Sequence, residues 1–259
     1  MNRTQTRQEL ADKIRNEHVK SSRRFKLTTM LFVLFGVLAC VVVLVWIQIQ
    51  PEDSDEVTKP NNATESYGFK LTKEVLAGAE ELEDGDANAA DVLLYEDFLC
   101  DSCKVFHEET GSYLIELVEQ GKINLTFQPF TFLLTQSTDE YSQRASNAAV
   151  CVADNAGVLA YSKMHDLLLK NQPKQGGAGL SDEQLIEFAV ESGASESSEC
   201  IKNRSFDTWV KEAMQAGLKA DVSSTPTVRV NGLNVVKKID GKELMPGIDE
   251  IDFALDITN

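Results

Sequence analysis

From Leu27 to Gln50 the chain carries no charged residue, in the run LTTMLFVLFGVLACVVVLVWIQIQ. As a helix such a run crosses a bilayer core of about 30 Å, and no other stretch restricts the architecture as tightly. It is too long for the apolar region of a cleaved signal peptide, and no small-residue cleavage site follows it. It therefore predicts an uncleaved anchor over residues 27–49, with lipidation of Cys40 in VLAC as the alternative. Arg23, Arg24 and Lys26 flank one end and Trp46 lies near the other. That asymmetry predicts a cytoplasmic N-terminus and an extracytoplasmic body.

Charge divides the chain in the same place. Residues 1–26 hold eight Lys/Arg against three Asp/Glu, and the remainder holds 17 against 38. A body this acidic excludes a general nucleic-acid binder, which needs basic surface. The expected organisation is a basic cytoplasmic segment (1–26), the anchor (27–49), an acidic linker (50–66) and one globular domain (67–259). The linker, PEDSDEVTKPNNATES, is polar and has no periodicity, so it reads as a tether.

Export changes the meaning of the cysteines, because thiols outside the cytoplasm tend to be oxidised. Setting Cys40 aside leaves Cys100, Cys103, Cys151 and Cys200, one close pair and one distant pair. Cys151 and Cys200 are expected to form a structural disulfide between two helices; two buried free thiols are the bland alternative.

Within the domain, GFKLT is a weak first strand and VLLYEDF (Val92 to Phe98) a stronger one. The segment CKVFHEETGSYLIELVEQG reads as a helix closed by Gly121, with Gly111 suggesting a kink. KINLTFQPF returns as a strand, which makes a parallel strand–helix–strand unit. A helical block follows over about 136–220, with Ser137–Glu140 read as a capping box and Ser181 as a cap. PTVRVNGLNVV then forms a hairpin at Asn231–Gly232, and GIDEIDFALDI a closing helix. The order is βαβ, helices, ββα.

In YEDFLCDSCKVF, Cys100 ends a strand and opens a helix. Free backbone N–H groups and the helix dipole there favour a thiolate, the reactive form of cysteine. Cys103 lies one turn on, placed to attack a mixed disulfide at Cys100. His107 shares a related helix face and could support the thiolate, although a half-exposed surface histidine is the simpler reading. Cys100, Cys103 and His107 also make a three-ligand set of the kind that takes copper or zinc. His18 and His165 complete no fourth position, so no metal is expected. Lys104 after Cys103 excludes haem attachment.

The combination of YEDFLCDSCKVF, the inserted helical block and SSTPTVRVNG resembles the DsbA-like branch of the thioredoxin superfamily. Within it the chain is most similar to membrane-tethered actinobacterial members, and the resemblance covers nearly all of residues 67–259. It implies an α/β thioredoxin fold with a helical insertion, preceded here by one transmembrane helix. It implies a cis bond before Pro226, with Thr225 and Pro226 presenting substrate beside Cys100. Two departures stand out. Asp101-Ser102 replaces the Pro-His or Pro-Tyr that family oxidases often carry, and an anion at Asp101 opposes ionisation of Cys100, which predicts a weaker oxidant. Leu94 stands where many members have a buried acid that aids proton transfer. Glu96 and Asp97 lie nearby at other positions along the strand and are the candidates for that proton-transfer role, with Asp97 read as solvent-facing.

The implied activity is thiol–disulfide exchange that forms disulfides in exported polypeptides with cysteine pairs. Cys100 is the nucleophile, Cys103 the resolving cysteine, and Asp101, Ser102 and His107 modulate the pair. No diffusible cofactor is expected. Re-oxidation requires a partner, for which a quinone-linked membrane protein is the expectation. The alternatives are a reductase or isomerase of misplaced disulfides, a copper-handling protein and a non-catalytic binding module.

Overall fold

The computed structural model describes residues 57–79 and 87–258, together with Gly36 as a single helical position. The basic segment, the expected anchor with Cys40, and the first part of the linker lie outside the described residues. Among the described residues no helix is long and apolar enough to cross a membrane. The rest of the linker is not a free tether, because the compact unit starts at Val57. Asn61 N–H donates to Asp154 Oδ1 at 2.8 Å, Asn62 Nδ2 donates to the Ala153 carbonyl, and Ala63 is buried. Polar composition does not reveal such contacts.

Five strands form the main sheet: β1 (Phe69–Leu71), β2 (Ala90–Glu96), β3 (Ile123–Pro129), β4 (Thr227–Val230) and β5 (Leu233–Val235), in the order β1-β3-β2-β4-β5. β2 and β3 are parallel, with Val92 opposite Leu125 and Leu94 opposite Phe127. β1 joins β3, and β4 joins β2, antiparallel. Every residue of β3 is buried, as expected of a strand covered on both faces. The β4–β5 hairpin turns at Asn231 and Gly232, both at positive φ, the signature of the turn that Asn-Gly favours. A second ribbon, β6 (Lys237–Ile239) with β7 (Lys242–Leu244), turns in the same way at Asp240–Gly241.

The helices are α1 (Lys73–Leu76), α2 (Asp101–Glu119), α3 (Tyr141–Lys170), α4 (Asp182–Glu191), α5 (Ser198–Asn203), α6 (Asp207–Lys219) and α7 (Ile248–Thr258). Phe106, Leu114, Leu117 and Val118 of α2 join the core with Phe69, Leu125 and Phe127 of the sheet and Tyr161, Met164 and Leu168 of α3. A second cluster of Tyr95, Phe130 and Val222 takes in Met214 of α6.

Two local expectations are revised. Helix α2 runs unbroken through Gly111; a Cβ there would stand 2.9 Å from His107 Nδ1, so the missing side chain makes room for that ring. Helix α3 starts at Tyr141, after Glu140 in the left-handed region, so the Ser137–Glu140 capping box does not form. Ser137 Oγ instead accepts from Tyr141 N–H at 2.7 Å. Gly157, at φ 84° and ψ 178°, leaves the helical geometry inside α3, so Tyr141–Lys170 is two helical segments meeting at a kink. At Ser181 the cap is present as a full box with Gln184.

Candidate active site

Strand β2 stops at Glu96, two residues before the expected end, because Asp97 turns inward. Its Oδ1 accepts from Leu99 N–H at 2.8 Å and from Ser142 Oγ at 2.7 Å, and its Oδ2 accepts from Leu133 N–H at 2.7 Å. Asp97 is therefore buried and anchored rather than solvent-facing. It ties the loop before the cysteines to the segment after β3 and to α3. Burial pushes its carboxyl above the usual range, against those hydrogen bonds. Replacing Asp97 with alanine leaves three buried donors unpaired, and the expected loss is about 3 kcal/mol or more, read from the urea denaturation midpoint.

The chain then places Cys100 at the N-cap of α2, with Cys103 in the first turn. Cys100 sits at the surface edge, 8 % exposed, and Cys103 is wholly buried. Neither is in a disulfide. The Thr225–Pro226 bond is cis, and the Cys100 thiol donates to the Thr225 carbonyl at 3.4 Å. A groove lined by Ser102, Thr225, Pro226, Ile239, Leu244 and Met245 opens beside this contact.

The two sulfurs are electrostatically opposite. The Cys103 thiol beside it draws the Cys100 pKa down to about 6; burial opposes this, while Thr225 and the backbone N–H groups of Cys103 and Ser102 assist. Cys103 is pushed well above the ordinary thiol value, by burial first, then by its hydrogen bond to Cys100 and the charge of Glu96. Asp101 is exposed and receives Gln175 Nε2 at 3.4 Å. It is not among the groups that shift Cys100 most, since an anion facing water is screened.

His107 takes a different place from the one its spacing suggests. Its Nε2 meets Asp166 Oδ1 at 2.9 Å, and its ring lies edge-on to His165. Burial lowers its pKa, with the neighbouring His165 adding to the effect. It is only partly exposed, and among the described residues no group of three or more His, Cys, Asp or Glu could hold a metal ion. The three-ligand set of Cys100, Cys103 and His107 is thus not assembled. Cys151 of α3 and Cys200 of α5 form a disulfide 49 residues apart in sequence.

Several residues at the site carry no sequence signal of their own. Gln172 Nε2 donates to the Cys100 carbonyl at 3.0 Å and Gln175 Nε2 to the Leu99 carbonyl at 3.1 Å. His165 meets Glu96 at 2.8 Å. All three partners lie about 70 residues away in the inserted block, so only the folded chain brings them here.

Comparisons with known proteins agree with this geometry. A sequence model described as Thioredoxin matches residues 80–250, more than half of the chain. Among solved structures, the reduced disulfide bond oxidoreductase DsbG of Mycobacterium tuberculosis is 28% identical, with 71% of this chain and 85% of that one covered and a TM-score of 0.55. Reduced DsbA of the same organism is 27% identical over 74% of this chain and 100% of its own, at a TM-score of 0.55. Oxidised BdbD of Bacillus subtilis, 18% identical, matches the fold with a TM-score of 0.58 over 78% of this chain and 96% of its own. A search of curated proteins gives no match. The chain belongs to the thioredoxin family, in its DsbA-like branch of thiol–disulfide oxidoreductases.

Proposed function

We propose that the chain oxidises cysteine pairs in exported polypeptides on the far side of a membrane, held there by residues 27–49. The observation that carries this reading is the inequality of the two sulfurs, a low-pKa Cys100 that keeps an 8 % exposed edge and a wholly buried Cys103 held as a thiol. In the oxidised protein a substrate thiolate attacks the Cys100 sulfur, forming a mixed disulfide and releasing Cys103, which takes up a proton. The substrate's second thiolate then attacks its own bridged sulfur and expels Cys100 as a thiolate. Two electrons pass to the protein, and a disulfide is left in the substrate.

Direction follows from the leaving group. A sulfur that ionises easily leaves easily, and its stable thiolate favours the reduced protein, which makes the oxidised form an oxidant. Because the folded pKa lies below the ordinary one, this stabilisation is full above the ordinary thiol range and is lost as pH falls through about 6. That argument favours oxidation over reduction or isomerisation. A quinone-linked membrane protein remains the proposed acceptor for the electrons. The acidic body, the uncharged run and the Cys151–Cys200 disulfide support a place outside the cytoplasm.

The test is trapping in cells. A Cys103→Ser chain is expected to hold exported, cysteine-paired proteins covalently through Cys100. Recovery of cytoplasmic proteins alone, or of none, contradicts the reading.

A further inference from the structure

A serine, threonine or aspartate at a helix N-cap holds the first turn with its own side chain. Cys100 occupies the N-cap of α2 and makes no such bond, which leaves its sulfur available for exchange. The turn is held from outside instead. Gln172 Nε2 donates to the Cys100 carbonyl at 3.0 Å, and Gln175 Nε2 to the Leu99 carbonyl at 3.1 Å. The matching N–H groups are taken too, Leu99 N–H by Asp97 Oδ1 at 2.8 Å and Cys100 N–H by the Asp97 carbonyl at 3.0 Å. Every backbone polar group of Leu99 and Cys100 is thereby engaged, and the sulfur is left to change partners.

Both glutamines belong to a strap, residues 171–181, that follows α3 without regular secondary structure. It is pinned nonetheless. Lys104 Nζ of α2 donates to the Lys170 carbonyl at 3.4 Å, where the strap begins. Gly176 N–H donates to the Gln136 carbonyl at 2.7 Å, and the Gly177 carbonyl accepts from Thr138 N–H at 3.0 Å. Arg144 reaches the Leu180 carbonyl at 2.6 Å, and a Cβ on Gly179 would stand 2.1 Å from the Tyr141 ring. A segment held in this way presents its two carboxamides at fixed positions before the reaction begins.

The Cys100 carbonyl also accepts from Cys103 N–H at 2.9 Å and Lys104 N–H at 3.2 Å, so with Gln172 three N–H dipoles converge beside the sulfur. Their positive ends point inward, an arrangement that favours negative charge there. The charged groups about the turn are Asp101 and Lys104 of α2, Asp97 before it, Lys170 ending α3 and Lys174 of the strap. On the Thr225 side Glu109 and Asp221 line the groove. Cys103 is the titratable neighbour, itself under the charge of Glu96. Asp101 faces water, whereas Gln172 is half-buried.

We propose that Gln172 and Gln175 are positioning residues of thiol exchange, which fix the backbone of Cys100 and, through the N–H ends of their carboxamides, favour its thiolate. As the substrate's own disulfide forms and its bond to Cys100 breaks, the electron pair comes to rest on the Cys100 sulfur, where Gln172 helps to hold it. The strap thereby ties the inserted helical block to the chemistry of the cysteines.

This inference rests on the exchange reading above, and one experiment separates their failures. Alkylation of Cys100 by iodoacetamide is followed across pH in the reduced full-length chain, and each chain is then equilibrated with glutathione and glutathione disulfide. Gln172→Glu keeps the shape but replaces the donor with an anion. It is expected to raise the alkylation midpoint by about one pH unit and to shift the glutathione equilibrium several-fold toward the oxidised protein. Gln172→Met removes the donor without adding charge and is expected to raise the midpoint less. Gln175→Glu acts one peptide further from the sulfur, with the same sign and a smaller shift, and decides the matter if Gln172→Glu does not fold. Ala178→Glu puts the same charge at an exposed position of the strap and is expected to leave the midpoint in place. Unchanged midpoints in the folded glutamate variants of Gln172 and Gln175 overturn the proposal. So does a Gln172→Glu shift no larger than that of Gln172→Met or Ala178→Glu, the result a purely structural clamp would give. Failure of the parent chain to exchange with glutathione disulfide overturns the exchange reading instead.

Discussion

Replacing Cys100 with serine is expected to reduce disulfide exchange to the uncatalysed background, while Cys103→Ser retains attack of Cys100 on a substrate disulfide. The serine hydroxyl lacks the easily ionised, polarisable sulfur on which attack depends. The remainder of the site cannot compensate: Cys103 is wholly buried, with its thiol pushed well above the ordinary value. Cys103→Ser keeps the nucleophile at the surface edge beside Thr225 and Pro226. It therefore forms mixed disulfides but cannot resolve them internally. The same substitution removes the group that most lowers the Cys100 pKa, so its thiolate is expected to appear at higher pH. Rates with a disulfide-bonded peptide for the reduced parent and both variants, followed across pH, check all three statements.

The second large effect lies away from the chemistry. Removing the Cys151–Cys200 bridge as a double serine variant is expected to cost about 4 kcal/mol, from a closed loop of 49 residues. The bridge joins the buried first half of α3 to α5, where Ser197 Oγ also donates to the Cys151 carbonyl at 3.1 Å. Helix α3 carries Ser142, which holds Asp97, and His165, which holds Glu96. Loosening the block therefore weakens support behind the cysteines. Denaturation under non-reducing conditions, parent against variant, measures the cost, and a difference below about 1 kcal/mol would remove the bridge as a main source of stability.

The parts of this protein written in short stretches could be read without a structure. Strand, Cys-x-x-Cys and helix follow one another in YEDFLCDSCKVF, Asn231–Gly232 marks a hairpin, and Ser181–Gln184 caps a helix. Asp240–Gly241 gave an equally local signal for the β6–β7 ribbon and was readable by the same rule. What stayed hidden was long-range. Asp97 looks like a polar residue at a strand end until Leu133 and Ser142 close on it. His107 has the spacing to serve the cysteines, but helix geometry cannot say that Asp166 and His165 occupy its other side. Ser137 and Glu140 have capping-box spacing, yet the loop before α3 places Glu140 in the left-handed region and moves the helix start. Periodicity reports which face a residue occupies, not what faces it.

The account turns on the sulfur of Cys100 being reachable and ionised near neutral pH. Alkylation of the reduced full-length chain with iodoacetamide, followed residue by residue across pH 4 to 10, measures this directly. The predicted outcome is rapid modification of Cys100 with a midpoint near pH 6, while Cys103, Cys151 and Cys200 remain unmodified. A Cys100 that resists the reagent throughout, or that reacts only in the ordinary thiol range, contradicts it.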